Sequence, residues 1–149
     1  MRINVVLLAL LLCSCGASSD NGEESADVQR LVEQIVARHP KLVRLTIHAV
    51  PTSETESRII ASNISDKLGN LSDPEDLRVM TTKEIVVLRE GNNLDVTMPI
   101  LDKAGKAVAA TGITLEEDGV TSETALMMEA QVIAQELTMG IQAAKKLPW

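Results

Sequence analysis

The sequence is nearly devoid of aromatic side chains. It has no Phe, no Tyr and a single Trp, which is the last of its 149 residues. A cage of aromatic faces, which is a common receptor for quaternary ammonium groups, is therefore not expected. A core must be built from aliphatic side chains and Met, and a hydrophobic fraction of 45% suffices for one domain of this length.

Cysteine and histidine are also scarce. The cysteines are Cys13 and Cys15 and the histidines are His39 and His48, so the body of the chain has no disulfide framework and no dense cluster of metal ligands. The sequence lacks a nucleophile elbow, an HExxH motif, a phosphate-binding loop and a dinucleotide-binding glycine motif. The sequence therefore predicts a protein that is not an enzyme and needs no metal or cofactor. A hydrolase or metal-dependent activity is the third and least favoured hypothesis.

Positive charge is in deficit. The chain has 14 Lys and Arg against 21 Asp and Glu, a formal net charge of −7. An acidic body offers no electrostatic footprint for nucleic acid and is repelled by anionic lipid head groups. We therefore expect no nucleic-acid partner, and membrane association only through a covalent lipid.

The one long apolar run, residues 3–12, is too short to span a bilayer and has the features of a signal peptide. Ser14 and Cys15 follow it in a pattern that resembles the lipobox of bacterial lipoproteins. The resemblance implies that residues 1–14 are removed and that the Cys15 thiol carries a diacylglycerol facing the periplasm. The alternative is an ordinary secretory signal cut near Ala17, which leaves a soluble periplasmic protein.

Composition and periodicity divide the remainder of the chain. Residues 15–24 are small, polar and acidic, as in a flexible tether, and residues 25–120 form the predicted domain. Its first helix is capped by Ser25 or Asp27, and Pro40 stops it. The buried face of this helix is predicted from spacings of three and four residues: Val28, Leu31, Val32, Ile35 and Val36.

Period-two patterns predict five strands. Leu42–Val50, Arg58–Asn63 and Glu84–Arg89 are the first three, and a long crossover with a short helix at Pro74 joins the second to the third. The last two form a hairpin, Asn93–Leu115, around a polar turn. Its second strand presents small residues on one face, which predicts either a close-packed helix above them or the floor of a pocket: Val108, Ala110, Gly112 and Thr114.

Residues 121–149 contain the last predicted helix, capped by Thr121 or Ser122 and running to about Lys146. Two readings of its apolar stripe stay open, packing against the domain and pairing with a second copy. Packing against the domain is the favoured one, because no flanking charge pattern is sustained. The stripe consists of Leu126, Ala130, Ile133, Ala134, Leu137, Ile141 and Ala144.

Strands joined mostly by hairpins, with helices before and after them, predict the α+β class. The order of elements resembles the extracytoplasmic PAS-like sensor domains of the Cache, or PDC, family, over roughly residues 27–117. The segments that carry the resemblance are the helix ending at His39-Pro40, the strand 42–50, the strand 59–63 followed by Asp73–Leu77, and the run Val96–Lys106. It implies a five-stranded antiparallel sheet with the first helix on one face and a small-ligand pocket on the other, roofed by the crossover.

The resemblance implies a binding or sensing role, without the kinase or second membrane segment of many relatives. We expect a small, anionic ligand such as a carboxylate, because guanidinium, ammonium and hydroxyl groups suit one. The alternative is an envelope protein-protein interaction module, with a homodimer or an envelope protein as partner. The candidate ligand contacts are His48, Arg58, Ser62, Asn63, Arg78, Thr81, Thr82 and Lys83.

Overall fold

The computed structural model describes residues 21–144, with side chains from Ala26 onward. The predicted signal peptide, Cys15 and the first part of the tether lie outside these residues. No helix in the described range is both long and apolar enough to cross a membrane. The elements in chain order are α1 (Asn21–Arg38), β1 (Leu42–Ala49), β2 (Arg58–Ser62), a 3₁₀ turn (Ser65–Lys67), α2 (Pro74–Thr82), β3 (Val86–Glu90), β4 (Asn93–Leu101), β5 (Ala107–Glu116) and α3 (Glu123–Ala143).

The five strands form one antiparallel sheet in the order β2-β1-β5-β4-β3. The central pair joins β1 to β5, strands from opposite ends of the domain, and places Thr46 opposite Gly112. The crossover between β2 and β3 carries the chain from one edge of the sheet to the other. This confirms the predicted α+β class with a five-stranded antiparallel sheet.

One face of the sheet is an aliphatic core. Because side chains alternate along a strand, Leu45 and Ile47 of β1 point to the same side as Val96 of β4 and Ile113 of β5, and all four are fully buried. They belong to one cluster with the inner sides of α1 and α3. The helices α1 and α3 therefore cover this face, and the opposite face carries polar side chains.

Both helices on this face are fixed by packing and by ion pairs. Six of the seven residues in the predicted stripe of α3 are buried against the domain, including Leu126, Ile133 and Leu137. The seventh, Ala144, is exposed, because the helix ends at Ala143, before the predicted end. Ser122 caps this helix by accepting a hydrogen bond from the Ala125 N–H. Packing of this stripe against the domain is thus confirmed. An ion pair also joins the two helices, since Arg38 of α1 lies 2.6 Å from Glu136 of α3.

The element boundaries differ from the predictions at a few places. The helix α1 begins at Asn21, within the segment whose composition suggests a tether. The strand β3 begins at Val86, two residues later than predicted, because Lys83 adopts a left-handed conformation with φ of 62° that ends α2.

We predict that Leu137→Ala lowers the free energy of unfolding by about 2–5 kcal/mol, because Leu137 is fully buried between α3 and the sheet. Leu68→Ala is the matched control, since Leu68 is 43% exposed in the crossover, and its effect should stay within about 0.5 kcal/mol. Urea unfolding of both variants measures the difference. Equal losses at the two positions would contradict the assignment of the core.

Candidate ligand-binding site

The second face of the sheet is polar and borders a partly open cavity of about 90 Å³ beneath the crossover. Residues from all five strands form its floor and rim, and the start of α2 with the 3₁₀ turn forms its wall and roof. Such a concave site with converging polar groups on a rigid sheet is typical of small-ligand pockets. Its lining consists of Arg44, Thr46, His48, Ile59, Lys67, Asp73, Glu75, Asp76, Glu90, Asp95, Thr97 and Gly112.

Local sequence fixes how α2 begins above this floor. Pro74 is the first residue of the helix, where a missing N–H costs no hydrogen bond. The carboxylate of Asp76, one turn further on, accepts a hydrogen bond from the Asp73 N–H at 2.9 Å, which forms one half of a capping box. Capping turns the Asp76 side chain back toward the start of the helix, where it is 4% exposed.

A buried imidazole joins this helix start to the sheet. His48 Nδ1 lies 3.0 Å from Asp76 Oδ2 and 3.1 Å from Ser72 Oγ, while Nε2 lies 2.9 Å from Thr46 Oγ1. His48 is 5% exposed, and both ring nitrogens have partners, so the ring is held in one orientation. We call Thr46, His48, Ser72 and Asp76 the His48 junction.

A glycine makes the close approach of the junction to β5 possible. A Cβ at Gly112 would lie 2.6 Å from Thr46 Oγ1 and 3.8 Å from His48 Nε2, so any side chain there would displace the junction. Gly112, one of the small residues predicted along β5, therefore shapes the pocket because it has no side chain.

At the other end of the cavity lies a charged pair of unusual burial. Asp95 Oδ1 accepts a hydrogen bond from Thr114 Oγ1 at 2.6 Å and lies 3.3 Å from the Arg44 guanidinium, which also meets Glu90 at 3.0 Å. Burial raises the pKa of the Asp95 carboxyl, and the bonds from Thr114 and Arg44 oppose this only in part.

The charge of the lining is predominantly negative. Five carboxyl groups line the cavity, against the two permanent cations Arg44 and Lys67. Arg44 is already paired with Asp95 and Glu90. The cavity therefore presents more hydrogen-bond acceptors than positive charge to a ligand.

A larger and more open groove of about 640 Å³ lies on the other side of the junction. Exposed apolar side chains form much of its wall, including Val50, Leu71 and Leu77. Ser57 and Ser72, whose hydroxyl oxygens are 2.7 Å apart, both line the groove, and Ser72 also contacts His48. The groove and the cavity thus share the junction as a common wall.

The structure brings only part of the predicted ligand set together. His48 lines the cavity and Thr81 lines the groove. The remaining six lie outside both linings and serve local contacts. The two arginines form ion pairs, Arg58 with Glu54 and Arg78 with Glu84, and Arg58 also donates to the Gly69 carbonyl. Ser62 accepts a hydrogen bond from the Ile64 N–H, and Asn63 bonds to the backbone of Val43 and Leu45. Thr82 donates to the Arg78 carbonyl, and Lys83 donates to the Gly105 carbonyl.

Sequence reasoning missed most of the cavity lining. One usable signal was the alternation of Arg44, Thr46 and His48 along β1, which places all three on one face. The matching alternation of Asp95 and Thr97 on β4 places these two beside them. Asp76 carried no such signal, because its role depends on the capping geometry of α2.

The hydroxyl next to His48 Nε2 is buried and hydrogen-bonded to the backbone. The Thr46 hydroxyl, the group nearest His48 Nε2, is only 4% exposed and lies 3.4 Å from the Gly112 carbonyl oxygen, to which it donates. Within the described residues, no group of three or more His, Cys, Asp or Glu side chains is arranged to hold a metal ion. The available groups can fix a polar ligand through hydrogen bonds.

Comparison with known proteins identifies the fold. No protein-family profile matches the chain, and no curated protein matches its sequence. The GAF domain of an Acinetobacter phosphoenolpyruvate-protein phosphotransferase has a TM-score of 0.53 and 16% identity, covering 89% of this chain and 99% of its own. At such identity the likeness shows the fold alone, which is a GAF-like and PAS-like α+β fold.

Two further solved structures share this fold. The inducer-binding domain of the Acinetobacter transcription factor PobR, in complex with 3-hydroxybenzoic acid, has a TM-score of 0.51 at 11% identity and covers 79% of this chain and 97% of its own. The type II free methionine-R-sulfoxide reductase of Thermoplasma acidophilum has a TM-score of 0.54 at 11% identity, over 82% and 95%. The fold thus occurs in binding domains and in an enzyme, and the Cache resemblance stays a prediction.

We predict that Asp95→Asn becomes more stable relative to the unmodified chain as the pH rises from about 3 to about 7. The folded-state pKa of Asp95 is raised by burial. The contribution of Asp95 to the stability of the unmodified protein is therefore lost as the pH rises from the unfolded pKa of about 3.9 through the higher folded value.

Asp118→Asn is the opposing control for this experiment. The Lys41 ammonium, 2.9 Å away, and the N–H groups of Thr121 and Val120 lower the pKa of Asp118. This variant should lose stability relative to the unmodified chain over the same pH range. Urea midpoints across the range measure both, and slopes of the same sign would contradict the electrostatic assignment.

Proposed function

We propose that the chain is a sensor-like domain that binds a small molecule in the cavity beneath α2 without transforming it. The observation that carries this proposal is the His48 junction, which joins the polar floor to the helical roof of a partly open cavity. A related fold binds 3-hydroxybenzoic acid in PobR, which supports a binding role for this one.

The lining changes the class of ligand that we propose. The sequence suggests an anion, but Arg58, Arg78 and Lys83 do not reach the cavity. Carboxylate oxygens dominate the lining, so a molecule that presents N–H or O–H donors, or a positive group, fits better than a carboxylate. The volume of about 90 Å³ limits the enclosed part to a small group, since one water needs about 10–15 Å³ by this measure.

We further propose that the domain is a Cache-like module of a bacterial lipoprotein, anchored in the envelope through Cys15 and facing the periplasm. The support is the apolar run of residues 3–12, which Ser14 and Cys15 follow, and the acidic character of the chain. An interaction module is the second candidate function. Edge strand β3 favours it, because Val87 and Leu88 are 41% and 42% exposed beside unpaired backbone groups.

The ligand proposal predicts a thermal shift with one chemically coherent class of small molecules. A ligand at 100 times its dissociation constant stabilises the folded state by about 2.7 kcal/mol, and amines, amino acids, purines, carboxylates and divalent metals form a suitable panel. Thr97→Leu should abolish the shift by filling the cavity, whereas Thr81→Leu, in the groove, should retain it.

The two variants make the screen decisive once their unliganded melting temperatures have been measured. A shift that survives Thr97→Leu but is lost in Thr81→Leu would move the site to the groove. No shift with any class, or a shift that neither variant affects, would contradict binding in the cavity.

The anchor proposal predicts that the expressed chain incorporates radiolabelled fatty acid in a bacterial host. Cys15→Ser should abolish incorporation, because the thiol is the acylated group, whereas Cys13→Ser should retain it. Gel fluorography of the immunoprecipitated chain measures both. Absence of label in the unmodified chain would favour the soluble periplasmic alternative.

A further inference from the structure

The helix α3 has a second apolar face that the domain does not cover. Met128, Val132 and Met139 are 63%, 49% and 61% exposed, on the side opposite the buried stripe. Ala125 and Gln135 are exposed on the same side. We call Ala125, Met128, Val132, Gln135 and Met139 the outer stripe. A helix that is apolar on two sides is typical of one that is buried on both.

Charge is absent from the outer stripe because every charged residue of α3 is used inside the domain. The helix contains only three, Glu123, Glu129 and Glu136. Glu123 pairs with Arg89 at 2.5 Å, Glu129 lies 3.4 Å from His39, and Glu136 pairs with Arg38. An uncharged stripe about four turns long is unusual on the surface of a chain with a net charge of −7.

The spacing of the outer stripe indicates that its partner is another helix. From Ala125 to Met139 the intervals are three, four, three and four residues, the a/d repeat of a two-helix seam. The buried stripe of α3 already packs on the sheet, so the outer stripe has no such role within the domain. This spacing fits the side chains of a partner helix better than it fits a flat surface or a small ligand.

The stripe is also complementary to itself. From Met128 to Met139 the intervals four, three, four read the same in both directions, so an antiparallel copy places Met128 against Met139 of the partner subunit and Val132 against Gln135 of the partner subunit. The flanking Gln131 supplies an amide that can both donate and accept across a two-fold axis. Because the rest of the acidic surface repels a second copy, an uncharged and self-complementary stripe is where two copies can meet.

We propose that the outer stripe of α3 binds the same stripe of a second copy of this chain, in antiparallel orientation. The test co-expresses two full-length copies with different epitope tags, solubilises them in mild detergent, captures one tag and quantifies the other. We expect recovery of the second copy. Val132→Lys in both copies should reduce it at least about tenfold, because each Lys would lie in the seam against Gln135 of the partner subunit, without a counter-charge.

Val120→Lys is the matched control, because Val120 is 91% exposed in the turn before α3 and lies off the stripe. It should leave recovery unchanged, and circular dichroism of both variants checks that their folds are intact, as expected for exposed side chains. Failure to recover a second copy, or equal recovery from the Val132→Lys and Val120→Lys pairs, would overturn the proposal. Capture of a different protein in place of the second copy would also overturn it.

Discussion

The contact between His48 and Asp76 is the constraint on which the architecture of the polar face depends. Both side chains are buried, at 5% and 4% exposure, and a buried polar group that lacks a partner costs free energy. Each satisfies the other at 3.0 Å, and Thr46, Ser72 and the Asp73 N–H complete their hydrogen bonds. The start of α2 is therefore tied to the sheet at one point, and the space beside that point becomes the cavity.

The two faces of the sheet differ in chemistry. Aliphatic side chains and two helices fill one face, which supplies much of the stability of a domain whose described residues include no Phe, Tyr, Trp or Cys. The other face carries hydroxyl, carboxyl, imidazole and guanidinium groups that a core would not tolerate. Gly112 affects both faces. Its backbone forms part of the central strand β5, and the absence of a side chain leaves space for Thr46 and His48 on the polar face. The polar groups of the cavity thus lie on a sheet whose aliphatic core is packed on the other face.

Much of this fold follows from local sequence patterns. The five strands, the β4–β5 hairpin and the caps of α2 and α3 were predictable because alternation, turn residues and capping residues act over a few positions. His48 was predictable for the same reason. The pairing of Arg44 with Asp95 was not, because it requires the register of β1 on β5 and of β5 on β4.

The rotation of α2 about its own axis explains why Arg78 and Thr82 do not line the cavity, although both were predicted as ligand contacts. This short helix buries Asp76 and Val79 and leaves Leu77 and Arg78 outside, the reverse of what hydrophobicity alone suggests at position 77. Capping of the helix and the contact with His48 decide that rotation, so Arg78 and Thr82 point away from the cavity. A pattern of apolar residues cannot reveal a helix orientation that polar groups fix.

The most direct test of this account is a double-mutant cycle on the junction, with His48→Gln, Asp76→Asn and the combined variant compared by urea unfolding. The account predicts that the two changes are coupled by about 0.5–3 kcal/mol, as for residues that share one buried hydrogen-bond network. Additive effects, within about 0.3 kcal/mol, would show that the two side chains act independently. That result would contradict the claim that their contact holds α2 over the cavity.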